Sequence, residues 1–368
     1  MKDIQPILQA LQNALLLKLG DEVDLVFQYG SHVRGATHKY SDVDISYVPV
    51  HATTWDSFTV MVDETLFDLY PMHWSTLEDM AEFRNVSVGV LVDYRIVYQR
   101  NAESLARFQA LGERLRALQA LSARPEMLKR ALEIYQSTGY DYYLLKTQAE
   151  AGQAAGCIKQ AQSIFRTVLH CLAVCNQSCA DSRKLQQILS LPRLPENFAE
   201  TVQRMVDALE PPQVLAATET LLQTTRELLL AEQRKVLRSN ESIAAVFDSA
   251  YPELKRDLQG VMLACERRDL FALKSSLFSL YHEMSRGLAQ ASSGVDYSKF
   301  NRLAEYEQDL ASLGFPALLP AFFARDFEDL HQRCLAFDQH LRSFFGEQSV
   351  QTNNFTGLDE LQAYLSRR

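Results

Sequence analysis

Apolar positions recur along this chain in two rhythms, and the change between them falls near residue 100. Residues 4–19 carry Ile4, Ile7, Leu8, Leu11, Leu15 and Leu19, the stripe of an amphipathic helix, and Gly20 stops it. Residues 24–29 (DLVFQY) are a short apolar and aromatic run ending at Gly30, the pattern of a buried strand. A second strand reads over 43–48, closed by Pro49, and 58–62 with 65–70 read as a hairpin turning at Asp63-Glu64. Ser75 and Glu78 have the spacing of a capping box and start a helix that runs to about Phe83. Residues 95–98 (RIVY) read as a further short strand.

From Ala102 the period is helical almost throughout. Helices are expected over 102–121, 126–148, 153–178, 182–190, 196–209 and 212–237. After a polar break at Arg238–Asn240 they resume over 252–266, 269–290, 299–313, 316–324 and 326–345, with a short last helix started by Thr356 or Asp359. The fold class implied is α+β, a small mixed sheet with helices at the N-terminus, followed by an all-α helical bundle region. The expected division is 1–100, a linker helix over 101–125, a helical domain over 126–238 and a second over 239–368. The two helical halves resemble each other: a long amphipathic helix, a polar break followed by Lys184 or Lys299, a second helix, a Pro-containing turn and a third helix. A duplicated module is one reading, and the shared periodicity of bundles is the other.

Charge and composition narrow the function classes. The chain has 368 residues, 47% hydrophobic and 23% charged, ordinary for a globular protein, and a net charge of -9. That balance, with no Lys/Arg-rich run, disfavours duplex nucleic acid as a partner. No window approaches the ~18 uninterrupted apolar residues of a membrane span. The N-terminus lacks a basic leader and a small-residue cleavage site, so a cytoplasmic protein is expected. Of the six cysteines, Cys171, Cys175 and Cys179 recur every four residues, but without CxxC-type pairs they read as reduced core thiols rather than metal ligands.

The candidate chemistry lies in Tyr29–Tyr47, YGSHVRGATHKYSDVDISY. Gly30-Ser31 forms a turn that lets backbone approach a ligand closely. Asp42 and Asp44 stand two apart on a strand, so their carboxylates share a face. Asp68, flanked by Phe67 and Leu69, is a strand carboxylate that needs a partner, and a metal would be one. A glycine turn beside convergent carboxylates suits a metal-bound nucleoside triphosphate.

The pattern G-S-x-x-R-G-x5-S-D-x-D, at Gly30, Ser31, Arg34, Gly35, Ser41, Asp42 and Asp44, resembles the signature of the nucleotidyltransferase superfamily of the DNA polymerase β type, and within it the minimal and kanamycin-type enzymes. The resemblance covers about residues 20–100. It implies a catalytic domain over 1–100, with Asp42, Asp44 and Asp68 as catalytic and Mg2+-binding residues, and Gly30, Ser31, Arg34 and Ser41 on the nucleotide. It implies AMP transfer from ATP, or from another nucleoside triphosphate, to a hydroxyl of a small aminoglycoside-like molecule or a protein, with pyrophosphate released. A second resemblance, to the acceptor-side helical domain of such enzymes, rests on Asn176, Lys184 and Leu191-Pro192. Glu150 is the nearest match to the helical domain's base, and reads more simply as an exposed helix-end residue. His32 is expected to point outward, and Tyr135, Tyr140, Tyr142 and Tyr143 to pack in a core. A non-catalytic nucleotide- or partner-binding module of the antitoxin-like type is the alternative. The acceptor and the oligomeric state are left open, a homo-oligomer included.

Overall fold

The computed structural model describes residues 4–51, 57–236, 241–293 and 306–366. The chain divides into two compact units, Met1–Glu232 and Gln233–Arg368. The break expected at Arg238–Asn240 lies outside the described residues, as does Lys299.

The first unit opens with α1 (Gln5–Leu19), β1 (Val23–Tyr29), the single turn α2 (Ser31–Arg34), β2 (Val43–Pro49), β3 (Phe58–Val62) and β4 (Thr65–Pro71). Next come α3 (Trp74–Ala81), β5 (Tyr94–Gln99) and α4 (Ala102–Gln119). The five strands form one sheet in the order β3-β4-β2-β1-β5. Only β2 and β4 pair in parallel. The hairpin is as expected: Asp63 and Glu64 both take positive φ, 48° and 64°, which a two-residue primed turn requires.

Alternation gives the sheet two faces. Val43, Ile45, Tyr47, Phe67 and Leu69 pack with Val26 against Leu8, Leu15 and Leu19 of α1. The opposite face carries Phe27, which meets Phe108 of α4 at a centroid distance of 5.1 Å. Thus α4 is not a bare linker: it covers the sheet, and Tyr94 of β5 also meets Phe108, at 4.8 Å. Asp24 is buried on β1 and receives bonds from Trp74 Nε1, Ser104 Oγ and Arg100, at 2.9, 2.9 and 2.8 Å. Burial pushes its carboxyl up, but the Trp74 and Ser104 bonds and the Arg100 charge hold it below its ordinary range.

The capping box does not form. The helix starts at Trp74 with His73 in extended backbone as its N-cap, so Ser75 already lies inside the first turn. At α4, by contrast, Asn101 caps the helix by accepting from Ser104 N at 2.8 Å.

The helical part of this unit comprises α5 (Arg124–Gln136), α6 (Gly139–Glu150), α7 (Ala154–Cys175), α8 (Leu185–Leu189), α9 (Phe198–Asp207) and α10 (Pro211–Val236). The single helix expected over 126–148 is thus two. Ser137 Oγ and Thr138 Oγ1 donate to the carbonyls of Ile134 and Tyr135, both at 2.7 Å, so side chains end α5 before Gly139. The second unit holds α11 (Ile243–Val246), α12 (Tyr251–Arg267), α13 (Leu270–Ser293), α14 (Tyr306–Ser312), α15 (Leu319–Ala324), α16 (Phe327–Glu347) and α17 (Leu358–Leu365). Gly357, rather than Thr356 or Asp359, is the N-cap of α17. The order in α6–α10 recurs in α12–α16: two long packed helices, a short one, a proline turn, a second short one and a long one. Among the described residues no helix is long and apolar enough to cross a membrane.

Glu82, just past α3, joins α3, α4 and α5. Its carboxylate takes two bonds from Arg114, at 2.6 and 3.2 Å, and another from Arg130. These hydrogen bonds, Arg114's first, outweigh burial and bring its pKa down to about 2. A depressed carboxyl stabilises the fold fully above its unfolded value of 4.5, and that stability is lost as pH falls toward 2. Glu82→Gln should therefore lower the urea midpoint at pH 7, with the deficit shrinking between pH ~4.5 and ~2.5.

Candidate active site

One transverse row of the sheet organises the site. On the face opposite α1, Thr59 of β3 lies opposite Asp68 of β4, Asp68 beside Asp44 of β2, Asp44 opposite Tyr29 of β1, and Tyr29 opposite Tyr94 of β5. The neighbouring residues Val43, Ile45, Phe67 and Leu69 point the other way into the α1 core. This alternation explains Asp68 between two large apolar residues: Phe67 and Leu69 are buried while Asp68 is half-buried on the open face. Thr59 Oγ1 donates to Asp68 Oδ1 at 2.8 Å. Asp42 lies one residue before β2 rather than on it, and is exposed.

Asp42, Asp44 and Asp68 line one cavity of about 730 Å³, a size within the range of small-ligand sites. Gly30, Ser31, Arg34 and Ser41 line it too. Gly30 sits at φ 85°, and a Cβ there would stand 2.2 Å from Asp44 Oδ2, so no other residue fits beside that carboxylate. Ser31 Oγ is enclosed with no hydrogen-bond partner. Ser41 closes the loop before β2, its Oγ accepting from His38 N at 2.8 Å. Arg34 reaches Asp93 at 3.9 Å. Contrary to expectation, His32 does not simply face water: it is half-buried, with Nε2 enclosed and unpartnered, and it is not among the cavity's lining residues.

The like charges act on one another. Burial first, then the charges of Asp42 and Asp68, push the Asp44 carboxyl up to about 6, while Arg183 and Arg34 pull it back. Among the described residues no group of three or more His, Cys, Asp or Glu side chains is placed to hold a metal ion. The three aspartates therefore line one cavity without forming a ready-made three-carboxylate site. Mg2+ takes one or two carboxylates and leaves its other positions to water and substrate phosphate, so a cation here would draw on one or two of them.

The far wall comes from the loop between α7 and α8, which contributes Cys179, Asp181, Arg183 and Lys184, and from Gln187 of α8. Two side chains at the end of α7 pin that loop. Asn176 Nδ2 donates to Leu172 O and Arg193 O, both at 2.8 Å, and its Oδ1 accepts from Arg193 N at 3.0 Å. Gln177, at φ 53°, donates through Nε2 to Leu118 O and Ala120 O at the end of α4, at 2.9 and 2.7 Å. Beneath them, buried Arg124 pairs with Glu232 and donates to Cys175 O at 2.7 Å. Asn176 and Lys184 thus have a physical role: one anchors the loop and the other lies on it.

Arg183, Asp181, Tyr29, Tyr70 and Asp93 also line the cavity and were not among the sequence candidates. The hydroxyls of Tyr29 and Tyr70 bond to each other. Burial raises the Tyr70 phenol, and the Arg183 charge opposes it. The signal for Arg183 was weak: two adjacent basic residues after a helix-ending Asn. Cys179 lines the cavity as a protonated thiol, pushed up to about 12 by burial and then by Asp93. The other five cysteines are buried, and all six are free. Glu150 is exposed at the end of α6 and is not a cavity residue. The tyrosine group divides: Tyr135 bonds Leu222 O and Tyr142 bonds Glu219, whereas Tyr140 and Tyr143 are exposed, contrary to the expected core packing.

No protein-family model matches the chain, and no curated protein matches it. Among solved structures it is similar to the nucleotidyltransferase-like protein from Exiguobacterium sibiricum 255-15. The two are 14% identical over 71% of this chain and 91% of that one, with a TM-score of 0.35. At that level of likeness the cavity's own chemistry carries the functional assignment.

The raised Asp44 carboxyl has a measurable consequence. Stability that it leaves intact below pH 3.8 is lost as pH rises through about 6, where the folded state must hold it ionised beside two like charges. Asp44→Asn should raise the melting temperature at pH 7.5 and leave it nearly unchanged at pH 4, read by thermal denaturation without divalent cations.

Proposed function

We propose that this chain is a magnesium-dependent nucleotidyltransferase. It moves a nucleoside monophosphate, AMP from ATP, to a hydroxyl of a small aminoglycoside-like molecule or of a protein. One observation carries this reading: a single cavity sets three interacting carboxylates, two on the sheet and Asp42 just before β2, against two basic side chains on the α7–α8 loop, with the Gly30–Ser31 turn between. Carboxylates alone would repel a triphosphate, and basic residues alone would bind any anion. The combination suits a cation–polyphosphate pair.

In the reaction the acceptor oxygen bonds to the α-phosphorus, and the bond from that phosphorus to the bridging oxygen of the β-phosphate breaks. Pyrophosphate leaves with the bond's electron pair, and the acceptor's proton passes to Asp68. Mg2+, when bound by one or two of Asp42, Asp44 and Asp68, would supply the positive charge that lets carboxylates and phosphate share the cavity. Ser31 Oγ, unpartnered in the structure, donates to a phosphate oxygen. The tight approach at Gly30 keeps the turn against Asp44. Arg183 and Lys184 neutralise the polyphosphate from the opposite wall, where charge-assisted bonds are strongest. Thr59 orients Asp68 through its 2.8 Å bond.

The test is incubation with labelled ATP and Mg2+, with candidate hydroxyl acceptors and with the protein alone. Pyrophosphate release or self-labelling is expected, and Asp44→Asn should reduce it by about a hundredfold or more, the loss typical of removing one preorganised charge-stabilising group. Tight nucleotide binding with no turnover on any acceptor and no self-labelling would instead support the non-catalytic module.

A further inference from the structure

The guanidinium of Arg183 lies within electrostatic reach of Asp44 and Tyr70, yet its ion-pair partner is Asp181. The pairing is firm. Asp181 Oδ1 accepts from Arg183 Nε at 2.9 Å and from its backbone N at 3.0 Å, while Oδ2 accepts from Nη2 at 3.1 Å. Asp181 itself is held: its backbone N donates to Gln187 Oε1 at 2.8 Å, and its side chain is only 16% exposed against 66% for Arg183. A planar guanidinium gripped by both oxygens of one carboxylate is a fixed fork. Both residues line the cavity that holds Asp42, Asp44 and Asp68.

Without Asp181 the arrangement has a predictable failure. Arg183 is a long cation on the wall opposite the carboxylates, and the carboxylate that already acts on it from the sheet is Asp44. Released, it would settle on Asp44, where a cation must bind. We infer that Asp181 is a positioning residue that holds the Arg183 guanidinium off the Asp44 carboxylate, keeping Asp44 open to a divalent cation until a polyphosphate draws Arg183 away. The inference rests on the proposed nucleotidyl transfer and adds an order to it: cation on the sheet first, then exchange of Arg183 from a carboxylate to a phosphate. The exchange swaps one oxygen anion for another around the same guanidinium, so Arg183 is never left unpaired.

The experiment uses the full chain and Mn2+ alone as the probe, titrated by electron paramagnetic resonance at pH 7.5 without nucleotide. Wild type, Asp181→Asn, Arg183→Gln and the double variant are compared. Asp181→Asn is expected to weaken Mn2+ binding about tenfold in the wild-type background, the order of one charge pair acting in a cleft. In the Arg183→Gln background it should change binding by less than about twofold, because no arginine remains to collapse onto Asp44. An equal loss in both backgrounds marks a plain charge effect and overturns the inference, as does no loss in either. If Asp181→Asn does not fold, Asp181→Ser, which keeps an acceptor for the turn at Arg183 N, takes its place with the same expectations. Wild type that binds no Mn2+, with or without a non-hydrolysable ATP analogue, overturns the nucleotidyl-transfer reading itself and this inference with it.

Discussion

Strand register is the constraint on which the site depends. Asp44 lies beside Asp68 because β2 and β4 pair in parallel with Val43 on Phe67 and Ile45 on Leu69. A slip of one residue on either strand would turn its carboxylate into the α1 core and an apolar side chain into the cavity. The apolar face enforces the register: Val43, Ile45, Phe67 and Leu69 are all nearly inaccessible beneath α1. Burying such side chains is worth about 1.5–3 kcal/mol each, more than the repulsion of two half-exposed carboxylates costs. The sheet can thus hold like charges together, and burial first, with the charges of Asp42 and Asp68 after it, raises Asp44 to about 6.

The opposite wall answers that field with charge of the other sign on an irregular segment. A loop that presents Arg183 and Lys184 must resist being drawn onto the aspartates, and α7 resists this through its final residues. Asn176 ties the helix end to Arg193, and Gln177 ties it to the end of α4. Both bridges run from side-chain amides to backbone carbonyls of other segments. The Arg124–Glu232 pair beneath is weak evidence for added stability, since desolvation offsets most of the attraction in a buried pair. Its geometry is directional: Arg124 reaches Cys175 O in the last turn of α7 and fixes where the loop begins.

Local pattern made much of this legible. The runs 24–29, 43–48, 58–62 and 65–70 became β1 to β4 almost to the residue, because period-two alternation and a two-residue turn are properties of the segment itself. The same alternation puts Asp44 and Asp68 on one face of the sheet, and the two-residue turn accounts for Asp63 and Glu64. What the sequence hid was decided between segments. On the sheet the buried carboxylate is Asp24, while Asp68 is half-buried and takes a bond from Thr59, and the partners of Asp24, Trp74, Arg100 and Ser104, stand far from it in the sequence. Ser75 had the spacing of a cap but lost the position to His73. The α5–α6 break lay in Ser137 and Thr138, residues that suit a helix surface equally well until their hydroxyls bond the preceding turn. Arg183 had only a weak signal, since its place depends on a sheet whose last strand, β5, ended at Gln99.

The repeated helix order gives a last comparison. In the first run Asn176 and buried Gln177 at the end of α7, with buried Arg124 of α5 beneath them, fix a loop that carries charge into a cavity. In the second the buried Asp338 of α16 accepts from Tyr251 Oη at 3.0 Å and Lys255 Nζ at 2.7 Å, with Arg342 3.3 Å away. That network joins α12 to α16 within the bundle and presents no loop. Helix order survives a change in the residues that pin it, because order is set by apolar faces and loop lengths, whereas a site is set by a handful of polar contacts. The two runs of helices therefore have a similar order, while the polar contacts that fix a loop beside the aspartate cavity belong to the first.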